Sequence, residues 1–195
     1  MVRRLLAGLE KETAVAADRL AEVTGDLDCA GRVLAAANTA LPEPDAALAA
    51  PDAALARLWQ AATVLREHRG DGHFAAMLAA DIDGCEALVL RCALDMRRAD
   101  IQPIRGWTDE QWEAARSRLA DLDLIGPDGE LTAAGRQAHA AVEAATDRAA
   151  GLPWARLGPA ATKELADVLS PVAQSCAEAI PYPSPIGVPA PGTVT

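Results

Sequence analysis

Trp107-Thr108-Asp109-Glu110-Gln111-Trp112 is the stretch on which the fold turns. Thr108 stands where a side-chain oxygen caps the first turn of a helix, and Gln111, three residues on, can reach back to the cap's own amide. The two tryptophans hold the N′ and N4 positions of a hydrophobic staple. A helix is therefore expected from Thr108 to Asp123, with Ala115, Leu119 and Leu122 on its inner face. Gly126-Pro127-Asp128-Gly129 follows, turn chemistry set between the short apolar ends Leu124-Ile125 and Leu131, which predicts a small β-hairpin. Thr132 then caps a helix running through Val142 to about Ala150.

Working upstream, Asp83-Gly84-Cys85-Glu86 repeats the capping-box pattern ahead of the apolar face Leu88, Val89, Cys92 and Met96. From Asp52, the spacing Leu55, Leu58, Trp59, Ala62 and Leu65 predicts another helix, which Gly70 and Gly72 are expected to break before a short helix around Phe74, Met77 and Leu78. Residues 3–23 read as an amphipathic helix, and a short one is expected from Cys29 to Ala40, stopped by Pro42 and Pro44. A last helix starts at Pro159 and buries Leu165, Val168, Leu169, Val172 and Cys176. The chain thus divides into a helical extension and linker (1–51), a central module (52–150), a C-terminal helix (151–180) and a proline-rich tail (181–195), expected to be extended or disordered.

Composition narrows the class. Of 195 residues about half are apolar, but nearly half of these are alanine, with one Phe, one Tyr and four Trp, so a mainly α core of closely approaching helices is expected. The four cysteines form no Cys-x-x-Cys pair, and Cys85 and Cys92, seven apart, read as buried thiols on one helix face. No signal sequence or membrane-length apolar run is seen, which points to a cytoplasmic protein that does not enter a membrane.

The element order, ending in Leu131-Thr132-Ala133-Ala134-Gly135-Arg136, resembles the winged helix of MarR-like regulators. The chain also resembles a little-characterised MarR-like set from high-GC bacteria through Leu58-Trp59-Gln60-Ala61-Ala62-Thr63-Val64-Leu65-Arg66-Glu67-His68-Arg69-Gly70-Asp71-Gly72-His73, through Arg105-Gly106-Trp107-Thr108, and through Ile180-Pro181-Tyr182-Pro183. The resemblance implies a winged helix-turn-helix with a β-hairpin wing, a recognition helix at Thr108–Asp123, and a homodimer made by terminal helices in residues 1–23 and 159–180. It also implies a transcription regulator that responds to a small molecule.

Charge runs against a strong DNA reader. The chain carries a net −10, and its candidate recognition helix sets Asp109, Glu110, Glu113, Asp121 and Asp123 against Arg116 and Arg118, a net −3. Asp128 and Glu130 occupy the expected wing, where cations for phosphate belong. Arg97, Arg98, Arg105, Arg116 and Arg118 are the candidate DNA contacts, opposed by the bland reading that they pair with surplus carboxylates. The other concentration of chemistry is Arg66–His73. His68, Asp71 and His73 are candidate catalytic groups, and His68 and His73 candidate metal ligands, in a glycine loop; Trp59, Arg66, Glu67 and Arg69 are candidate ligand contacts. The bland reading makes Asp71 a cap and the glycines a turn. A non-DNA-binding enzyme or a small-molecule or metal-binding protein is the alternative function, with no cofactor fingerprint in the sequence to name its chemistry.

Overall fold

A computed structural model of the protein describes residues 2–41 and 48–180, together with Ser184 and Pro191. Ten helices are present among them: α1 (Val2–Leu5), α2 (Glu10–Gly25), α3 (Val33–Thr39), α4 (Ala50–Ala79), α5 (Gly84–Leu94), α6 (Arg98–Arg105), α7 (Asp109–Asp121), α8 (Ala133–Ala150), α9 (Leu152–Leu157) and α10 (Pro159–Ala177). No helix among the described residues is long and apolar enough to cross a membrane. Most of the linker expected before Pro51, and the tail apart from Ser184 and Pro191, lie outside the described residues.

The chain forms two compact units, one of Met1–Gly72, Asp147–Pro181 and Ala190–Thr195, the other of His73–Thr146 and Tyr182–Pro189. In the first unit, α2 packs along α10. Ala16 and Ala17 are wholly buried, and with no side chain beyond Cβ they let the helices approach closely. Leu6, Leu20, Leu58, Leu165 and Val172 fill the same core, each such burial contributing about 1.5–3 kcal/mol. The Ser175 hydroxyl donates to the Leu5 carbonyl and ties the two terminal segments together. The terminal helices expected to form a dimer therefore bury apolar faces against each other within one chain.

The second unit is built on α5, which packs against both α6 and α7. Val89 and Leu90 of α5, Ile101 of α6, and Trp112, Ala115 and Leu119 of α7 form its core with Ile125, Leu131 and Val142. Both capping boxes are formed. Asp83 accepts from the Cys85 and Glu86 amides while Glu86 accepts from the Asp83 amide, and Thr108 and Gln111 exchange the same pair of bonds.

Two expectations are corrected. The β-hairpin wing is absent, so the fold is an all-helical helix-turn-helix rather than a winged helix. No strand exists among the described residues, and one isolated antiparallel bridge, Ile125 with Leu131, is all that joins the ends of the turn. The flanks explain why. Asp123 sits at φ 57° where α7 ends, and Thr132 accepts from the Gly135 amide as the cap of α8. Only one residue pair is left to build a ladder. The second correction concerns Gly70 and Gly72, which lie inside continuous α4 rather than in a loop. A glycine in a helix costs about 1 kcal/mol against alanine, a cost that close packing offsets at Gly72 alone of the two.

Candidate nucleic-acid interface

α6, the three residues Gly106–Thr108 and α7 make a helix-turn-helix. Gly106 closes α6 in the left-handed conformation, φ 74°, with its amide bonded to the Gln102 carbonyl. Gln102 braces the turn from the side, donating to the Trp107 carbonyl at 3.1 Å and to Asp109 at 3.0 Å. With Trp112, Ala115 and Leu119 buried, the helical period turns Glu110, Ala114, Ser117 and Asp121 to the opposite, exposed side. That outward ridge is short-chained and acidic.

The five candidate arginines differ in their partners. Arg98 lies 5.2 Å over the Trp112 ring and donates to Gln102 at 2.6 Å, Glu113 at 2.6 Å and Asp109 at 2.7 Å. It is a clamp between α6 and α7. Hydrogen bonds from Gln102 and then Arg98 hold the Asp109 carboxyl below its ordinary pKa; those from Arg98 and then Arg116 do the same for Glu113. Arg118 donates to Glu86, itself buried, at 2.7 Å and to Asp83 at 2.6 Å, so it joins α7 to the capping box of α5. Arg116 pairs with Glu113 at 3.1 Å on the same helix. Arg97, 79 % exposed, makes a loose 3.7 Å pair with Asp100, and exposed Arg105 has no ion-pair partner among the described residues. Arg97 and Arg105 are thus the two available cations. Arg136, at the start of α8, donates to the Leu131 carbonyl.

Downstream of α7, Gly129 adopts φ 83°, and Asp128 accepts from the Glu130 amide, so the carboxylate sets the turn. Gly135 is required by packing. A Cβ there would lie 1.9 Å from the Leu124 carbonyl oxygen. The Leu-Thr-x-x-Gly-Arg segment therefore combines a cap, a close backbone approach and a carbonyl tie.

In the first unit, the stretch from Arg66 to Gly72 docks α3. His68 is 2 % exposed, and its ring donates a hydrogen bond to the Asp28 main chain. Burial, then the neighbouring Arg32 cation, pushes its pKa below the ordinary value, against the opposing pull of that hydrogen bond and the nearby carboxylates. Arg32 donates to the carbonyls of His68 and Ala149, and Asp71 accepts from the Ala35 amide at 2.9 Å. Gly72 makes room for this crossing: a Cβ would lie 2.9 Å from the Ala149 Cβ and 3.1 Å from Arg32 Nη1. Arg32 had no local signal in the sequence, which set it inside a helix expected from Cys29 to Ala40; the structure puts it one residue before α3.

His73 belongs to the second unit, where its Nδ1 lies 3.0 Å from the Thr146 hydroxyl and 3.9 Å from Glu143. On one continuous helix, a five-residue separation turns His68 and His73 roughly 140° apart about the axis, so the two imidazoles leave α4 on different sides. No group of three His, Cys, Asp or Glu side chains among the described residues is placed to hold a metal ion. Arg66 pairs with Glu67, Arg69 is exposed, and Trp59 stands 75 % exposed on α4. Burial pushes the Cys85 and Cys92 thiols above their ordinary pKa, away from the reactive thiolate.

A family model described as a helix-turn-helix family matches residues 1–183. No curated protein and no solved structure matches the chain.

Proposed function

The chain belongs to this helix-turn-helix family, and from that premise we propose that it is a DNA-binding protein of the transcription-regulator class that offers α7 to the duplex. The observation that carries this reading is the helix-turn-helix at Arg98–Asp121, packed on α5 with one whole face of its second helix left exposed. In such motifs the second helix enters the major groove. Ser117 is the uncharged polar side chain on that face, and Glu110 is an acceptor that suits a cytosine amine. Arg97 and Arg105 supply phosphate contacts, whereas Arg98 and Arg118 hold the motif together.

Two available cations among the five candidate arginines make for weak affinity, because each neutralised phosphate contributes one released counterion to binding. The reading therefore includes a homodimer working in the cytoplasm on two half-sites, which doubles the phosphate contacts. It also includes response to a small molecule.

The test is fluorescence anisotropy of the full chain on random duplex across a salt series. Binding is expected near 50 mM salt, with a slope of log affinity on log salt that flattens by about 0.9 for each phosphate that Arg97→Ala or Arg105→Ala leaves without its cation. Arg116→Ala is expected to change the slope less, since Glu113 already holds that guanidinium. No binding near 50 mM salt, or slopes indifferent to Arg97 and Arg105, overturns the reading.

A further inference from the structure

Within the second unit a groove of about 450 Å³ opens where the C-terminal ends of α4 and α7 meet the start of α5. That volume falls among small-ligand sites, about 300–1,000 Å³. Its walls are chiefly apolar: Leu78, 77 % exposed, and Leu122, 54 % exposed, stand in it beside buried Ile82. One exposed leucine needs no explanation, but two on the walls of one hollow make an apolar surface that a ligand can cover.

The charge in the groove is one-sided. Asp81, Asp83, Glu86 and Asp121 line it against a single guanidinium, Arg118. Arg118 is committed to Glu86 at 2.7 Å and Asp83 at 2.6 Å, so the exposed carboxylates of Asp81 and Asp121 are left with no ion-pair partner among the described residues. Both stand at helix ends. Asp121 is the last residue of α7, and Asp81 follows the last residue of α4 by two, at φ 57°. A helix C-terminus carries the negative end of the backbone dipole, which favours a cation and repels a carboxylate. α4 has no basic residue in its last turn, and the one in the last turn of α7 is the committed Arg118. Two carboxylates and two helix ends therefore add their negative potential over one apolar hollow. We propose that this groove binds a small organic cation, an amine with an apolar body, its ammonium against Asp81 and Asp121 and its hydrocarbon against Leu78, Ile82 and Leu122. An inorganic cation would leave the leucines wet, and an anion or a neutral apolar molecule would leave the carboxylates unanswered. Binding here does not rest on the DNA reading, and it gives the small-molecule response proposed above a ligand of stated chemistry.

Calorimetry on the full chain at low salt tests this with hexylammonium, neutral hexanol and methylammonium. Hexylammonium is expected to bind saturably below about 10 mM. Hexanol should bind at least about fivefold more weakly, the factor set by one cation against two exposed carboxylates, and methylammonium at least about tenfold more weakly, for want of methylenes to cover the leucines. Asp81→Asn combined with Asp121→Asn should lose about the same fivefold for hexylammonium and nothing for hexanol. Asn accepts the left-handed backbone of Asp81, and both changes remove a carboxylate from a helix end, so the fold is kept and the hexanol arm reports it. Leu78→Ala should weaken both ligands. Glu164→Gln combined with Glu178→Gln removes as much charge from exposed positions in the other unit and should change neither. The proposal is overturned by the absence of saturable hexylammonium binding up to about 10 mM, by hexanol binding equally well, by unaltered affinity in the double Asp variant or in Leu78→Ala, or by an equal loss in the double Glu variant, which would mark attraction to the net charge alone. Dimerisation in sedimentation that Leu78→Ala abolishes also overturns it, since the groove would then be an interface between copies.

Discussion

Replacing Gly70 and Gly72 by alanine, one at a time, should move stability in opposite directions although the two lie two residues apart on α4. At Gly70 the added Cβ meets only Glu67 Oε2 at 3.8 Å, an ordinary contact. The change therefore keeps the intrinsic helix gain of about 0.8–1.0 kcal/mol. At Gly72 the same gain is opposed by contacts of 2.9 Å with the Ala149 Cβ and 3.1 Å with Arg32 Nη1. Overpacking costs about 1–3 kcal/mol, and displacing Arg32 weakens charge-assisted bonds worth about 1.5–3 kcal/mol each. The net expectation is a loss of about 2–4 kcal/mol. For a chain of this length each kcal/mol is about 2–4 °C in midpoint, so Gly70→Ala should melt a few degrees higher and Gly72→Ala roughly 4–16 °C lower. Thermal and urea unfolding followed by far-UV circular dichroism give the two shifts, and hydrogen exchange at the α3 amides reports whether Arg32 has let go. If both variants lose stability alike, the glycines serve a flexible or strained backbone, and the close crossing of Arg32 over Gly72 is not what selects them.

Other consequences can be measured on the same protein. Gly135→Ala places a Cβ 1.9 Å from a backbone oxygen that cannot rotate away; a loss of at least about 3 kcal/mol is expected, and a variant within about 1 kcal/mol of the parent by calorimetry contradicts the close approach. Arg98→Ala should let the Asp109 and Glu113 carboxyls titrate nearer their ordinary values, read by carbon-detected NMR, with Glu113 moving further because Gln102 still holds Asp109. His68 has a folded pKa below its unfolded value near 6.5, so the unfolded chain binds the extra proton. Stability should then be independent of His68 above that pH and fall as pH drops below it. His68→Phe should flatten the slope between about pH 6.5 and 5, and an unchanged slope would remove His68 from the cause.

Local rules carried far along this sequence, and tertiary ones did not. The boxes at Asp83–Glu86 and Thr108–Gln111 are complete within four residues each, so their side chains could be assigned before any packing was known. The Gly126–Gly129 turn was equally local, but a hairpin needs several residue pairs beyond the turn, and Asp123 and Thr132 are committed to helix ends. No capping residue marks the start of α6, and Pro103 lies inside it as the sixth of eight residues, where it removes a single internal donor. The amphipathic faces of residues 3–23 and 159–180 were plain, yet nothing in either face names its partner. The arginines near α7 were visible as a cluster. Their partners Glu86, Asp109 and Glu113 decide which are free, and that decision lies in distances.

The Leu58–His73 motif is long and specific, which invites a catalytic interpretation, but burial along it follows the helical period: Leu58, Ala61, Val64 and His68 form one inward stripe. Asp71 and Gly72 extend the same service by seating the Ala35 amide and the Arg32 guanidinium. A stretch that must satisfy a core, a neighbouring helix's amide and a buried crossing cation is constrained at nearly every inward position without any substrate. Its outward residues Trp59 and Arg66 bear none of that constraint. Chemistry directed outside the protein is better sought where a polar group is left unanswered by its own chain. Two arginines meet that description by exposure, Arg97 and Arg105. They are where the partner expected of a helix-turn-helix meets positive charge.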